Sequence, residues 1–317
     1  MSTSLLTRTL NARPGAAGST LSGILIFMGA SFSFACMDTL AKHLASSVHI
    51  VEVTWGRYFF SLLFLGLLFG RGAERRPTAS ARPLFQIIRS TILLGVTLLF
   101  FTGISYLPLV DAVAIGHTTP LIITALASLA LGESVGPRRW AAVGIGFVGV
   151  LIVMRPGLGV MHWAAFVMLG AAILNALYHL STRVLAGVDK PETTIVYTGL
   201  VGAVVLTVSV PFFWTRPDTW DWIELGACGF FGFLGHYLLA MAYARAPAST
   251  LAPYTYIITI WLGLLGYIVF GHIPDIWTVI GCAIIVGSGL YIYHREAQLR
   301  RVARASPQTA EEIVEAG

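Results

Sequence analysis

Ten stretches of about 20 mostly apolar residues, each long enough to cross a bilayer as a helix, fill the chain between residues 21 and 294. They read as 21–41, 50–70, 84–104, 109–131, 137–155, 161–182, 193–214, 221–244, 248–271 and 275–294. The connections are short and often closed by Pro or Gly, as at Leu107-Pro108, Arg155-Pro156-Gly157, Ala246-Pro247 and Ile273-Pro274. They leave no room for a soluble domain. A helix bonds its own backbone polar groups, which lipid cannot do, so the pattern predicts an all-α integral membrane protein. Charge agrees: 11% of the 317 residues are Asp, Glu, Lys or Arg, against about 25% in a soluble domain.

The distribution of charge orients the bundle. Sixteen of the 20 Lys and Arg fall on one side: Arg8, Arg13, the 71–89 region, Arg138, Arg139, Arg183, Lys190, Arg245 and the tail from Arg295. Lys42, Arg155 and Arg216 fall on the other, and Arg57 lies inside a span. The positive-inside rule then predicts both termini in the cytoplasm, which requires an even number of spans. Most tryptophans fall near predicted span ends, where amphipathic rings prefer to sit; Trp261 is deep. The run from Leu21 to Leu40, after Arg8 and Arg13, is longer than a signal-peptide core and reads as a retained helix. The net charge of +5 resides in loops and tails and does not suggest nucleic acid. Cys36, Cys228 and Cys282 lie in apolar runs without metal-ligand spacing and read as buried thiols. No metal or cofactor is expected.

An internal repeat decides the architecture. The stretch YLPLVDAVAIGHTTPLIITALASLALGE (106–133) parallels RAPASTLAPYTYIITIWLGLLGYIVFGH (245–272) at an offset of 139 residues. Each opens on a residue-Pro pair, runs through a Thr-bearing helix, ends on an apolar-Gly-polar triplet and precedes a glycine-studded helix. Two units of five spans have opposite orientations. Inverted repeats recur in secondary transporters, whose substrate sites lie near the midplane between the halves. The expected organisation is a cytoplasmic segment 1–20, repeats at 21–157 and 158–294, and a disordered cytoplasmic tail 295–317.

Several stretches carry a family resemblance: MDTLAKHL (37–44), WGRYFF (55–60), PLVDAVAIGHTTPLI (108–122), LGESVGPRRW (131–140), GFVGVLIVMRPG (146–157), GHYLLAMAYARAPASTLAPYTYI (235–257), FGHIPDIWTVIG (270–281) and GSGLYIYHRE (287–296). With these the chain resembles the EamA-type members of the drug/metabolite transporter superfamily, ten-helix bacterial inner-membrane carriers. It looks closest to the branch that includes S-adenosylmethionine uptake carriers; exporters of amino acids and metallophores and riboflavin uptake carriers are related. The resemblance implies a carrier without settling its substrate or direction. His272 stands where such sequences commonly have an acid, so no role of that acid carries over.

Ionisable groups inside a membrane usually face a cavity or a partner. His117, nine residues past Pro108, and Tyr256, nine past Pro247, each lie about 13 Å from opposite faces, which brackets the midplane. His117, Thr118, Tyr254 and Tyr256 are therefore expected to line the cavity. His117 reads as a substrate contact or proton relay, or as a neutral interhelical histidine. His236, Trp261, and Asn175 with Tyr178 on one face of the sixth span, are further cavity candidates; structural packing is the alternative for each. Asp38, Lys42 and Arg57 are read as a charge cluster at the outer mouth: Asp38 pairs along its helix with Lys42 or across with Arg57, as a gate or a static brace. Arg89 is expected to snorkel to the surface, and Glu133 to pair with Arg138 or Arg139. Gly144, Gly146, Gly149, Gly281, Gly287 and Gly289 read as close-packing positions, and Gly226, Gly229, Gly232 and Gly235 as a helix interface.

No Gly-x-Ser-x-Gly elbow, His-Glu-x-x-His or Walker A motif is present. The sequence thus predicts a secondary carrier of a small organic metabolite: an amino acid, a nucleoside-like or amphipathic compound, or a metallophore. Its partners are that substrate and the bilayer; a homo-oligomer is possible but unsupported. A membrane-embedded enzyme or lipid-handling protein is the alternative.

Overall fold

The computed structural model describes residues 17–69, 80–131, 136–155, 162–185, 188–189 and 191–305. They form twelve α-helices and two 3₁₀ turns: α1 Ala17–Leu44, α2 Ile50–Phe69, α3 Pro83–Tyr106, α4 Leu109–Gly116, α5 Thr119–Leu131, α6 Pro137–Met154, α7 Ala164–Leu185, α8 Pro191–Ser209, α9 Thr219–Arg245, α10 Ala248–Leu251, α11 Ile257–Phe270 and α12 Ile276–Ala305. The 3₁₀ turns are Val210–Phe213, extending α8, and Ala252–Tyr256, joining α10 to α11. Ten segments among the described residues are long and apolar enough to cross a membrane, and their bounds follow the expected windows closely. Two differences stand out. The fourth and ninth spans are each broken in mid-course, and α12 continues to Ala305, where disorder from residue 295 was expected. Glu133 and the two chain ends lie outside the described residues.

Helix packing follows the repeat. α1 lies along α9, as α7 lies along α3. Likewise α2 packs on α9 as α8 packs on α3, and α11 on α1 as α4 and α5 pack on α7. Exchanging each span with the one five positions away converts every member of these pairs into the other. Two further contacts, α6 on α12 and α2 on α8, map onto themselves. This is the pattern of two inverted five-helix units closed around a pseudo-two-fold axis. One apolar cluster runs through both units and includes Phe101, Ile104, Leu109, Ile115, Met168, Leu225, Leu262 and Ile285. Outward faces stay greasy: Leu67 is 71% exposed and Val208 68%, as lipid contact requires.

In lipid, helices associate through close packing rather than hydrophobic burial, so small residues at crossings matter. A Cβ built on Gly149 would sit 2.9 Å from the Gly281 carbonyl oxygen, and one on Gly281 would sit 2.7 Å from that of Gly149. The α6–α12 crossing is therefore glycine against glycine. Gly229, Gly232 and Gly235 meet Phe60, Ser61, Met37 and Phe34 of α1 and α2. Gly144, Gly226 and Gly287 have nothing within 4 Å of an added Cβ, so these three are not close-packing positions. Gly149→Leu is expected to cost about 3 kcal/mol, the upper part of the overpacking range, and to lower the unfolding midpoint in detergent by several degrees. Gly144→Leu, on an open face, is expected to change stability by less than about 0.5 kcal/mol. Equal midpoints for the two variants contradict this packing.

Candidate functional site

The two broken spans make the site. In the first, GHTTP (116–120) combines a poor helix former, three polar residues and a proline. Pro120 supplies no N–H and disfavours helical geometry at Thr119. α4 ends at Gly116, with His117 as its cap. The backbone oxygens released by the break are met by local hydroxyls: Thr118 Oγ1 donates to Ile115 O at 2.6 Å and Thr119 Oγ1 to Gly116 O at 2.9 Å. In the second repeat, Pro253 lies within the 3₁₀ segment Ala252–Tyr256, and Thr255 Oγ1 donates to Ala252 O at 2.7 Å. Breaks at membrane depth survive when side chains satisfy the freed groups in this way.

The breaks meet. The His117 and Tyr256 rings lie 4.9 Å apart, edge to face. His117 Nε2 is 2.8 Å from Thr259 Oγ1, one turn into α11. These two repeat mates bring the interrupted helices of both halves together. Behind them, the Tyr256 hydroxyl occupies the space that a Cβ on Gly289 of α12 would need. Asn175 Nδ2 reaches Thr119 Oγ1 at 3.5 Å, which places it beside the first break. Trp261 lies five residues beyond Tyr256 and packs edge-on against Phe32 of α1 at 5.4 Å, with its Nε1 buried and unbonded. His236 packs edge-on against Phe34, on the same helix α1, at 5.0 Å. Its side chain is exposed.

Other expected residues lie elsewhere. Thr118 is 1% exposed and turned onto the backbone of the break, so it does not present its hydroxyl to a cavity. Tyr254 packs with Phe27, Ala242, Ala246 and Leu251, away from the His117 pair. The Asp38–Lys42 pair does not form. Lys42 Nζ instead donates to the carbonyls of Ile104, at 2.6 Å, and Leu107, at 2.7 Å, and stands 5.4 Å over the Phe270 ring. The carbonyl of Ile104 would normally accept from residue 108, but Pro108 has no N–H; the ammonium takes that place. Asp38 is buried, and the nearby charge of Arg57 acts on it without a salt bridge. Arg57 bonds Thr97 Oγ1 at 3.1 Å and Met37 Sδ at 3.2 Å and stacks over Tyr58.

Arg89 also departs from expectation. It is 2% exposed and does not snorkel. Nε donates to Thr182 at 2.7 Å, one terminal nitrogen to Thr198 at 3.1 Å and the other to the Tyr178 hydroxyl at 2.5 Å. Tyr178 is thus its partner rather than an independent cavity residue. The signal that could have found this cluster is the four-residue spacing of hydroxyls on two later helices, Tyr178 with Thr182 and Thr194 with Thr198.

The end of the bundle that carries Lys42 is tied across the halves. Asp111 of α4 accepts from Thr278 of α12 at 2.8 Å, and Arg155, just past α6, pairs with Asp275 ahead of α12. The hydrogen bond from Arg155, helped by the Thr278 amide, holds the Asp275 carboxyl down at about 2. An unfolded Asp titrates near 3.9. The pair therefore contributes its full stability above about pH 4 and loses it as pH falls through about 2. Asp275→Asn should lower the unfolding midpoint by about 2 °C at pH 6, as suits an exposed pair. The gap should close by pH 2; a gap that persists there contradicts the assignment.

The sequence profile of the EamA-like transporter family matches residues 21–155 and again 162–293. An S-adenosylmethionine uptake transporter of Rickettsia bellii is 27% identical over 274 residues, covering 86% of this chain and 94% of its own. A riboflavin transporter of Rhizobium johnstonii is 28% identical, over 88% of this chain and 93% of its own. A pseudopaline exporter of Pseudomonas aeruginosa is 24% identical, over 84% and 93%. A solved crystal structure 18% identical in sequence superposes with a TM-score of 0.59, over 87% of this chain and 95% of its own, and shares the fold.

Proposed function

The chain belongs to the EamA-like transporter family and is a multi-pass inner-membrane transporter of a small molecule; from that premise we propose that it is a secondary carrier working by alternating access, with its substrate held where the two broken spans meet. The observation that carries this reading is the contact of the repeat mates His117 and Tyr256 at the interruptions of both halves. Discontinuous helices facing one another at the repeat interface are how secondary carriers build midplane sites. Convergent polar groups, here His117 Nε2, Thr259, Asn175 and Tyr256, fix a ligand's orientation. The aromatic rings of Tyr256 and Trp261 suit a planar ring on that ligand. S-adenosylmethionine and riboflavin, named for the relatives, both carry fused heteroaromatic rings. The functional units are repeats 21–157 and 158–294, with residues 1–20 and the tail beyond residue 294 in the cytoplasm by the charge bias. No catalytic step belongs to this reading.

Uptake of radiolabelled S-adenosylmethionine and of riboflavin into proteoliposomes containing the full chain tests it. Saturable uptake of at least one, competed by its unlabelled form, is expected. Absence of saturable flux for both, with turnover of the vesicle lipid instead, overturns the carrier reading in favour of a lipid enzyme.

A further inference from the structure

Arg89 is a buried cation with no carboxylate bonded to it among the described residues. The one ionisable group among its described hydrogen-bond partners is the Tyr178 hydroxyl. Three of its five N–H groups are bonded, all to neutral hydroxyls: Thr182 and Tyr178 of α7 and Thr198 of α8. Arg57 differs, because Asp38 lies within reach of its charge. Asp189, joined to α3 through Gln86, is spent elsewhere. It accepts from Ser80 at 2.5 Å, from the Ala81 amide at 2.9 Å and from Gln86 Nε2 at 2.7 Å. Two further polar atoms of α3, Gln86 Oε1 and Ser90 Oγ, are fully buried and unbonded within a turn of Arg89.

An uncompensated charge within a membrane is expensive and is kept where it meets a substrate or ion. A guanidinium held in a fixed plane by hydroxyls presents the fork that a carboxylate accepts in bidentate fashion. Arg89 lies about 9 Å into α3 from Pro83. Its partner Thr182 is seven residues, about 10 Å, along α7 from Asn175 at the first break, with Tyr178 between them. That span matches a metabolite whose ring rests at the breaks and whose acidic end extends along α7.

We propose that Arg89 is the counter-charge for a carboxylate on the transported metabolite, and so a specificity-determining residue that selects cargo bearing a carboxylate over cargo without one. The assignment rests on the carrier reading above. In the present conformation the hydroxyls of Tyr178, Thr182 and Thr198 hold the place of that carboxylate, and a bound substrate exchanges with them.

Purified full-length protein is tested by thermal unfolding, since a ligand bound only by the folded state raises the midpoint by mass action. The probes are S-adenosylmethionine, its decarboxylated analogue, which keeps the ring and sulfonium, and riboflavin, which has no carboxylate. Wild type should be stabilised more by S-adenosylmethionine than by the decarboxylated analogue, with at least tenfold tighter binding. Arg89→Gln, whose amide can still bond the hydroxyls, should erase that preference. Arg89→Lys should retain part of it, and Thr198→Val, which loosens the clamp but keeps the charge, should retain most. The proposal is overturned if no carboxylate preference exists in wild type, or if Arg89→Gln keeps it. A midpoint shift caused by sodium chloride alone, lost in Arg89→Gln without any carboxylate preference, assigns the site to an inorganic anion and also overturns it. Binding with the predicted preference but no flux in proteoliposomes sinks the carrier reading alone; flux without the preference sinks this inference alone.

Discussion

Replacing His117 by alanine should slow transport at least about tenfold while leaving the protein's abundance in the membrane near wild type. The asymmetry follows from where the imidazole lies. Its hydrogen bond to Thr259 contributes about 1 kcal/mol to stability, typical of a neutral pair, which a ten-span bundle tolerates. Its contact with Tyr256 joins the interrupted helices of both halves at the place assigned to the substrate. Loss of about 1.4 kcal/mol of transition-state stabilisation is already tenfold in rate. Thr259→Val leaves the imidazole without its partner and should give a smaller defect in the same direction. Gly289→Ala offers an indirect approach to the same point, because its new Cβ takes the space of the Tyr256 hydroxyl. Combined with Tyr256→Phe, which removes that hydroxyl, it should add little to the defect of Tyr256→Phe alone. The measurement is initial uptake rate normalised to membrane abundance. Unchanged rates in His117→Ala and Tyr256→Phe alike would remove these residues from the site.

Lys42→Met should do the opposite and injure the fold first. Lys42 supplies donors to two carbonyls at the end of α3, one of them orphaned by Pro108. Hydrogen bonds to a charged group are worth about 1.5–3 kcal/mol each, and the carbonyls left behind remain desolvated. A total loss of about 3–5 kcal/mol is expected, read as a fall of roughly 10 °C in the unfolding midpoint. Lys42→Arg, which keeps charge and donors, should recover part of it. Asp38→Asn should leave stability nearly unchanged, because neither Lys42 nor Arg57 forms a salt bridge with Asp38 in this conformation; a transport defect in that variant would then report a role in gating. Loss of Asp38→Asn protein from the membrane would restore the brace that the sequence suggested.

These cases show where sequence reasoning reached and where it stopped. The ten spans were legible because lipid imposes a length and a composition that a simple window detects. The inverted repeat was legible from one aligned pair of stretches, and the most extensive helix contacts follow it. The helix breaks were not, since GHTTP and APYTY are short enough for their apolar flanks to carry the hydropathy window across them; hydropathy does not see whether backbone bonding is continuous. The repeat nevertheless paired His117 with Tyr256, and depth counting put both near the midplane, so their meeting was foreseeable where Thr259 was not. Lys42 escaped because the four-residue rule within a helix favours Asp38, whereas helix-end carbonyls 62 and 65 residues away offer the better partner. Arg89 escaped for a related reason. Six residues from a helix start it looked able to reach the surface, but its hydroxyl partners lie 89 to 109 residues further along the chain.

The central claim is that two inverted halves alternately expose one metabolite site. Exchange tests it most directly: proteoliposomes are loaded with unlabelled S-adenosylmethionine or riboflavin, whichever is taken up, and the initial influx of the labelled form is compared with that into empty vesicles. Alternating access predicts that internal substrate accelerates influx, and that His117→Ala abolishes the acceleration. Influx that is indifferent to internal substrate and never saturates would mean a pore or passive leak, and would contradict the account.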